Sequence, residues 1–241
     1  MHLPVPAGGV RDGQWSMRAT TPDQTARVLT EVAALGPYYA LETGPPAPGW
    51  RPLPERDPGF VAALIDDYAL RLGGGSGPVE HRVAASILFQ SIAARLWSPV
   101  VASAALGVVP DLAALRWRPG SPHGLRLPAP AGFAYENARQ LRDLVVDAHL
   151  RPLGEMFRDV GKLADGLVWG NAASALAGTL VARPAAPARG IVGDLLDLEP
   201  LRGTGAFTRR GFVRRSCCLY YRVPPGGGLC GDCALLDRPE G

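Results

Sequence analysis

Apolar residues recur at helical spacing through most of the first 200 positions, which predicts a mainly helical body. Thr21–Gln24 predicts the first helix start, because Thr21 can cap the helix, Pro22 suits its first turn and Gln24 lies three residues after the cap. Gly36-Pro37 predicts the end of this helix. The apolar residues expected on its buried face are Val28, Leu29, Val32 and Leu35.

Two longer helical regions follow a proline-rich connection at residues 43–58. Asp57-Pro58 predicts the start of the first, and the Gly73–Gly77 run predicts its end. Residues 78–107 predict a long apolar helical region. We expect a break in it near Pro99, because proline lacks the amide donor that a helix interior needs.

The helical period returns at residues 134–160, with a bend or restart expected at Pro152, and again at residues 165–181 and 188–198. The helix at 165–181 carries a stripe of small residues at spacing four. Small side chains on one face predict that a neighbouring helix packs closely against it. The stripe consists of Gly170, Ser174 and Gly178.

The pattern predicts only a little β structure. Leu115–Arg118 and Leu125–Leu127 alternate as two short strands would. After Gly203 the pattern changes, and the alternation of Leu219, Tyr221 and Val223 predicts a strand near the C-terminus. We therefore expect an α+β fold, with a mainly helical body at residues 1–200, a small β component, and a C-terminal cysteine module at residues 201–241.

The charge distribution excludes an extended nucleic-acid surface. The net charge of +3 arises near the C-terminus, where residues 201–241 hold seven of the 25 Lys and Arg residues and three of the 22 acidic ones. This footprint is smaller than nucleic-acid-binding domains show. The uncharged stretches at 96–110 and 166–182 are short or interrupted for membrane spans, and the N-terminus lacks the pattern of a secretory signal. We expect no stable membrane span and a cytoplasmic location.

All four cysteines lie in the last 25 residues, at Cys217, Cys218, Cys230 and Cys233. Disulfides are disfavoured in a reducing cytosol, and a bond between adjacent cysteines would be strained. Cys230-Gly-Asp-Cys233 could form half of a zinc site, but neighbouring cysteines converge on one small ion with difficulty. A larger [2Fe–2S] unit, which takes four thiolates, tolerates a wider range of directions. Iron–sulfur, zinc and redox-thiol chemistry all remain open at this point.

Glycines and arginines around the cysteines favour the iron–sulfur interpretation. Glycines let backbone amides approach the sulfur atoms, and such hydrogen bonds tune a cluster; they are Gly226, Gly227, Gly228 and Gly231. Cationic side chains would stabilise the more negative, reduced state of a cluster. Arg214 and Arg215 adjoin the first cysteine pair and are, with Arg222, the predicted substrate-binding residues.

The motif resembles the C-terminal motif of the FhuF-type ferric-siderophore reductases. The similarity lies in the run Arg214–Tyr221, which contains the cysteine pair, and in Cys230-Gly-Asp-Cys233. The segments Arg95–Pro99 and Leu167–Asn171 are also similar to parts of that family. The spacing between Cys218 and Cys230 is eleven residues, one longer than in the family pattern, with the extra residue in Pro224-Pro225.

The resemblance implies that the four cysteines hold a [2Fe–2S] cluster and that the helical body binds the substrate. It implies one-electron reduction of siderophore-bound Fe(III) to Fe(II) and release of the iron in the cytosol. The electrons would come from a ferredoxin, a reductase or a small reductant, because the chain has no nicotinamide or flavin fingerprint. The alternatives are a non-enzymatic [2Fe–2S] electron carrier or redox sensor, and a zinc-stabilised interaction module.

Overall fold

The centre of the fold is the long helix α3, whose side chains are mostly buried. A computed structural model describes residues 17–120, 124–182, 184–224, 226 and 228–235. The helices are α1 (Pro22–Ala33), α2 (Pro58–Gly73), α3 (His81–Ala105), α4 (Ala138–Leu141), α5 (Arg151–Gly161), α6 (Asp165–Gly178) and α7 (Ala188–Leu196). Helix α3 packs directly against α1, α2, α5, α6 and α7.

Two predicted helix starts are confirmed by the side chains that cap them. Thr21 accepts a hydrogen bond from the backbone N–H of Gln24 at 3.2 Å, and Asp57 accepts one from Phe60 N–H at 3.1 Å. These side chains satisfy amide groups that have no partner within the first helical turn.

The predicted break at Pro99 is wrong, because α3 continues through it. Pro99 removes one backbone hydrogen bond, at a cost of about 3 kcal/mol in a helix interior. The helix is surrounded by the core on most sides, and this burial offsets the loss. Helix α3 is also long and apolar enough to cross a membrane, but 72% of its most apolar window is buried inside the fold, as in the core helix of a soluble protein.

The helical region predicted at 134–160 begins later than expected. Asn137 caps α4 by accepting a hydrogen bond from Gln140 N–H, and residues 132–134 form a strand instead. A π-helical segment, Arg142–Leu150, follows α4. The restart at Pro152 is confirmed, because this residue occupies the first turn of α5.

The strands form small sheets at the edge of the helical body. They are β1 (Glu42–Thr43), β2 (Arg51–Pro52), β3 (Val108–Pro110), β4 (Arg116–Trp117), β5 (Leu125–Leu127), β6 (Gly132–Ala134), β7 (Gly205–Thr208) and β8 (Gly211–Arg214). One sheet has the order β1-β5-β4-β2, with β1 parallel to β5 and the other pairs antiparallel. Strands β3 and β6 form a second antiparallel pair. The two strands predicted from residues 115–118 and 125–127 are confirmed as β4 and β5, and the mainly helical α+β fold class is confirmed with them.

The chain after α7 folds back onto the helical body as the β7–β8 hairpin, which contacts α6. The strand predicted from Leu219, Tyr221 and Val223 is wrong, because Tyr220–Arg222 forms a 3₁₀ helix. Leu219 and Val223 pack into the core four residues apart, while Tyr221 is exposed, and this spacing suits a helical turn. The division predicted at residue 200 falls in the turn between α7 and β7.

Candidate metal centre

The cysteine pair Cys217-Cys218 begins three residues after Arg214, where the hairpin ends. Leu219 takes a left-handed backbone conformation, with φ of 69°, and turns the chain sharply into the 3₁₀ helix. A non-glycine residue rarely adopts this conformation unless the surrounding structure holds it there. The turn therefore prevents the two cysteines from continuing as an extended strand.

The second cysteine pair lies in a tight turn, in which Cys233 N–H donates to the carbonyl oxygen of Cys230 at 3.1 Å. The turn brings one thiol from each half of the motif together, since the Sγ atoms of Cys218 and Cys230 lie 3.4 Å apart. Two thiolates on one tetrahedral metal lie about 3.8 Å apart, given metal–sulfur bonds of about 2.3 Å. Cys218 and Cys230 therefore fit as ligands of one metal ion after a small adjustment.

The protonation of this pair favours a metal-binding thiolate. The pKa of Cys218 falls from 9.0 to about 6, chiefly through the hydrogen bond with Cys230 and further through a Tyr220 amide and the charge of Arg214. Burial and Asp232 oppose this shift. The same contact raises the pKa of Cys230. One of the two sulfur atoms is thus prepared as the anion that binds metals.

The other two thiols receive backbone hydrogen bonds. Leu219 N–H donates to Cys217 Sγ, and Leu235 N–H donates to Cys233 Sγ, each at 3.4 Å. These two amide donors are leucines two residues after each cysteine, whereas the sequence suggested glycines. One of those glycines, Gly227, lies outside the described residues, as does Pro225 of the predicted loop insertion. Amide–sulfur hydrogen bonds of this kind tune the potential of a bound cluster.

Over the described ranges, no three His, Cys, Asp or Glu side chains converge closely enough to hold a single metal ion. The close pair of Cys218 and Cys230 supplies two of the four thiolates that a two-iron unit takes. The donor set is thus compatible with a [2Fe–2S] cluster held by Cys217, Cys218, Cys230 and Cys233.

Arg214 connects the second cysteine turn to the helical body. Its backbone N–H donates to the carbonyl oxygen of Asp232 at 3.1 Å, and its Nε and Nη2 atoms each lie 2.9 Å from Asp232 Oδ2. The guanidinium also donates to Asn171 Oδ1 at 2.6 Å and to Ser174 Oγ, both on α6. The side chain of Arg214 is completely buried and does not reach the solvent surface. Through these hydrogen bonds it connects the second cysteine turn to α6.

A second chain of hydrogen bonds fastens the first cysteine pair. Ser86 Oγ on α3 donates to the carbonyl oxygen of Cys218 at 2.7 Å. Asn171 Nδ2 donates to both the carbonyl and hydroxyl oxygens of Ser86, each at 2.9 Å. Because Asn171 also accepts from Arg214, one buried network joins both cysteine pairs to α3 and α6. Fully satisfied networks of this kind fix a single arrangement of the groups they join.

The comparison with protein families bears on this cysteine segment. Residues 214–235 match the family model described as the FhuF 2Fe-2S C-terminal domain. The match confirms the FhuF-type resemblance of the cysteine motif and indicates a [2Fe–2S] cluster. A search of curated proteins found no match for the chain.

The other two predicted arginines lie at the surface of the FhuF-type segment. Arg215 is exposed, and its backbone N–H donates to the carbonyl oxygen of Thr204. Arg222 forms an ion pair of 2.8 Å with Glu80. The structure therefore separates the three arginines that the sequence grouped together, because Arg214 is buried and the other two face solvent.

The small-residue stripe of α6 faces the FhuF-type segment, in addition to α3. A Cβ atom added at Gly170 would overlap Ser216 Oγ and come within 3.3 Å of Ser216 Cβ. Ser174 accepts hydrogen bonds from Arg214 and Gln90. The chain therefore packs closely at Gly170, but the segment that approaches it is the one before Cys217 and not the neighbouring helix that the stripe predicted.

Sequence reasoning missed the partners of this network: Ser86, Gln90, Ser174 and Asp232. Ser86 and Gln90 are unremarkable positions within an apolar helix, and no local pattern identifies them. Asn171 gave a usable signal, because a lone amide in a helix of apolar and small residues needs a buried partner. Asp232 gave another, since a carboxylate between two cysteines of the motif needs a partner of opposite charge.

Two adjoining cavities reach the FhuF-type segment. The cluster-side cavity, of about 320 Å³, is lined by Tyr38, Tyr68, Ile87, Gln90, Ser91, Ala94, Cys218, Tyr220 and Cys230. The arginine groove, of about 850 Å³, runs between α6, the start of α7 and the turn of the β7–β8 hairpin. The two share Tyr38, Gln90 and Ala94 as a common wall.

Proposed function

We propose that this protein is a ferric-siderophore reductase, which transfers one electron to chelated Fe(III) and releases the iron as Fe(II). The FhuF-type motif supports a role in siderophore iron handling. Beyond that role, we propose the reaction that the protein catalyses and the cavities where the chelate binds.

The observation that carries the proposal is that Cys218 and Cys230 line a cavity open to a small molecule. Electron transfer between two centres is faster when the distance between them is shorter. The sulfur atoms of a ligand pair at the wall of a cavity provide this approach. A cluster bound by the four cysteines supplies single electrons, which is the number that Fe(III) requires.

The adjoining arginine groove has room for the organic part of a chelate. Its volume of about 850 Å³ lies within the range of ligand sites, which is about 300–1,000 Å³. Tyr38 stands on the wall between the groove and the cluster-side cavity, and its ring lies 4.7 Å from the guanidinium of Arg95. A chelate held in the groove would present its iron towards the two cysteines across this wall.

Reduction releases the iron because of the preferences of the two oxidation states. Siderophores bind hard Fe(III) through oxygen donors, whereas softer Fe(II) binds such donors more weakly and favours nitrogen and sulfur ligands. The chain needs only to position the chelate and to deliver an electron, and no acid–base group of the protein is required. Reduction in the cytoplasm, with a ferredoxin, a reductase or a small reductant as electron donor, completes the proposal.

The test is rapid anaerobic mixing of the dithionite-reduced protein with a panel of ferric siderophores. We expect the absorbance of the oxidised cluster to return at a rate that rises with chelate concentration and saturates, because the chelate binds before the electron moves. A rate that depends only on the reduction potential of the chelate, and that does not saturate as the chelate concentration rises, would favour a general electron carrier. A reduced protein that stays reduced with every chelate would contradict the proposal.

A further inference from the structure

We infer that the arginine groove selects ferric chelates that carry a net negative charge. The inference rests on the proposed function and concerns which chelates that site accepts. Arg214, which the sequence predicted to bind the substrate, is buried and cannot contact a chelate in solution. Arginines that line the groove would recognise the charge instead.

The groove is cationic on two sides. Arg189 lies in the first turn of α7, and Arg209 and Arg210 form the turn of the β7–β8 hairpin; all three are exposed. Asp232 is the only carboxylate among the described lining residues, and Arg214 already neutralises it from within the fold. The described lining therefore has an excess of positive charge, to which Arg189 and Arg209 contribute from opposite elements.

The floor of the groove is smooth, because small residues of α6 form it. Ser174, Ala175 and Gly178 line it, and a Cβ atom added at Gly178 would meet nothing within 4 Å. Phe207, which is 45% exposed, and Tyr38, which is 41% exposed, provide aromatic surface at its sides. A bulky, rigid complex with aromatic or carboxylate groups can rest on such a floor while the arginines reach its oxygen atoms.

The charge of a ferric chelate depends on its donor groups. Three hydroxamates neutralise Fe(III), whereas three catecholates leave three negative charges on the complex, and hydroxycarboxylates also leave it anionic. Guanidinium groups bind anionic oxygen atoms through short, charge-assisted hydrogen bonds and stack on aromatic rings. The groove therefore offers more to a catecholate or carboxylate chelate than to a neutral hydroxamate.

Redox-inactive Ga(III) chelates separate binding from reduction. We would measure the affinity of the oxidised, cluster-containing protein for a neutral Ga(III) trihydroxamate and an anionic Ga(III) tricatecholate by titration calorimetry, at low and high salt. The anionic complex should bind at least about tenfold more tightly at low salt, and the preference should shrink as salt screens the charges. Equal affinities, or tighter binding of the neutral complex, would overturn the inference.

Variants of the groove give the second arm of the test. The double variant Arg189→Gln/Arg209→Gln should lose the preference, because the anionic chelate loses more affinity than the neutral one. Arg189→Lys/Arg209→Lys should keep most of the preference, because it keeps the charge. Arg56→Gln, which makes the same charge change at an exposed residue outside the described cavities, is the matched control. A preference that survives in the glutamine variant, or that falls equally in Arg56→Gln, would contradict a role for the groove.

The outcomes also distinguish this inference from the proposed function. Oxidation of the reduced protein by ferric chelates without any preference for charge would leave the reductase standing and remove the selective groove. Selective binding of Ga(III) chelates by a protein that never reduces their Fe(III) counterparts would leave the groove standing and remove the reductase.

Discussion

Arg214 contacts Asp232 at three points, through its backbone N–H at 3.1 Å and through two guanidinium nitrogens at 2.9 Å each. Asp232 lies between Cys230 and Cys233, and Arg214 lies three residues before Cys217. This ion pair therefore joins the two halves of the cysteine motif through side chains that are not among the candidate metal ligands. The buried polar network extends the connection to α3 and α6.

The first prediction concerns this ion pair. Arg214→Gln should lower the free energy of unfolding by about 3–5 kcal/mol, because it leaves the Asp232 carboxylate in a partly buried site without its cation. For a protein of this size the loss corresponds to a fall of about 10 °C in Tm, measurable by circular dichroism. Arg214→Gln/Asp232→Asn should lose less than the sum of the single variants, by about 1–3 kcal/mol. Additive losses would show that the pair contributes no coupling.

The second prediction concerns the close approach of α6 to Ser216. Gly170→Ala should destabilise the protein by about 1–3 kcal/mol and lower the cluster content, because the added methyl group displaces the segment that leads into Cys217. Ser216→Gly in the same chain should restore both. Gly166→Ala is the matched control, since a Cβ atom there meets nothing within 4 Å. Equal effects of the two alanine variants would mean that the close packing plays no part.

The third prediction compares two buried serines of α3. Ser86→Ala should cost about 1–3 kcal/mol, because it leaves the Cys218 carbonyl oxygen without the donor that the hydroxyl supplies. Ser103→Ala should cost little, since Ser103 Oγ is buried and has no hydrogen-bond partner among the described residues. Thermal unfolding of the two variants gives the comparison. Similar losses of stability in the two variants would show that the hydrogen bond to the Cys218 carbonyl oxygen does not stabilise the fold measurably.

The fourth prediction concerns the cofactor. Anaerobically purified protein should contain two irons and two acid-labile sulfides per chain, because four thiolates complete one binuclear unit. Cys233→Ser should lose the cluster and disturb the segment from about residue 205 onward, while the helical body stays folded. Stoichiometric zinc without sulfide, from cells supplied with iron, would contradict the cluster. A Cys233→Ser variant whose circular dichroism showed complete unfolding would contradict the two-part organisation.

Local sequence signals predicted much of the helical body and the cysteine motif itself. Thr21 and Asp57 mark helix starts through hydrogen bonds to amides three residues away, so a short window of sequence contains the cause. Pro99 misled the prediction because the burial that offsets its cost comes from distant elements. Leu219 misled it because its left-handed conformation leaves no mark in an alternating pattern.

The sequence predicted the candidate ligands of the site, but not the residues that support them. Adjacent cysteines followed by Cys-x-x-Cys indicate a metal or redox centre from residue types alone, and the similarity to the FhuF 2Fe-2S C-terminal domain indicates the [2Fe–2S] cluster. The direction of the Arg214 side chain depends on Asn171 and Ser174, which are 43 and 40 residues away in sequence. Nothing in the run around Cys217 shows that Arg214 turns inwards while Arg215 stays exposed, and the sequence therefore assigned both to the substrate.

The most direct test of the central claim is the stoichiometry of a single turnover. The protein is reduced by one electron per cluster, freed of excess dithionite and mixed anaerobically with a ferric siderophore and an Fe(II) indicator. It should yield about one trapped Fe(II) for each cluster that is oxidised. The Cys233→Ser variant should yield none. Oxidation of the cluster without trapped Fe(II), or trapped Fe(II) in equal amount from the variant, would contradict the proposal that this protein reduces siderophore-bound iron through its C-terminal cysteines.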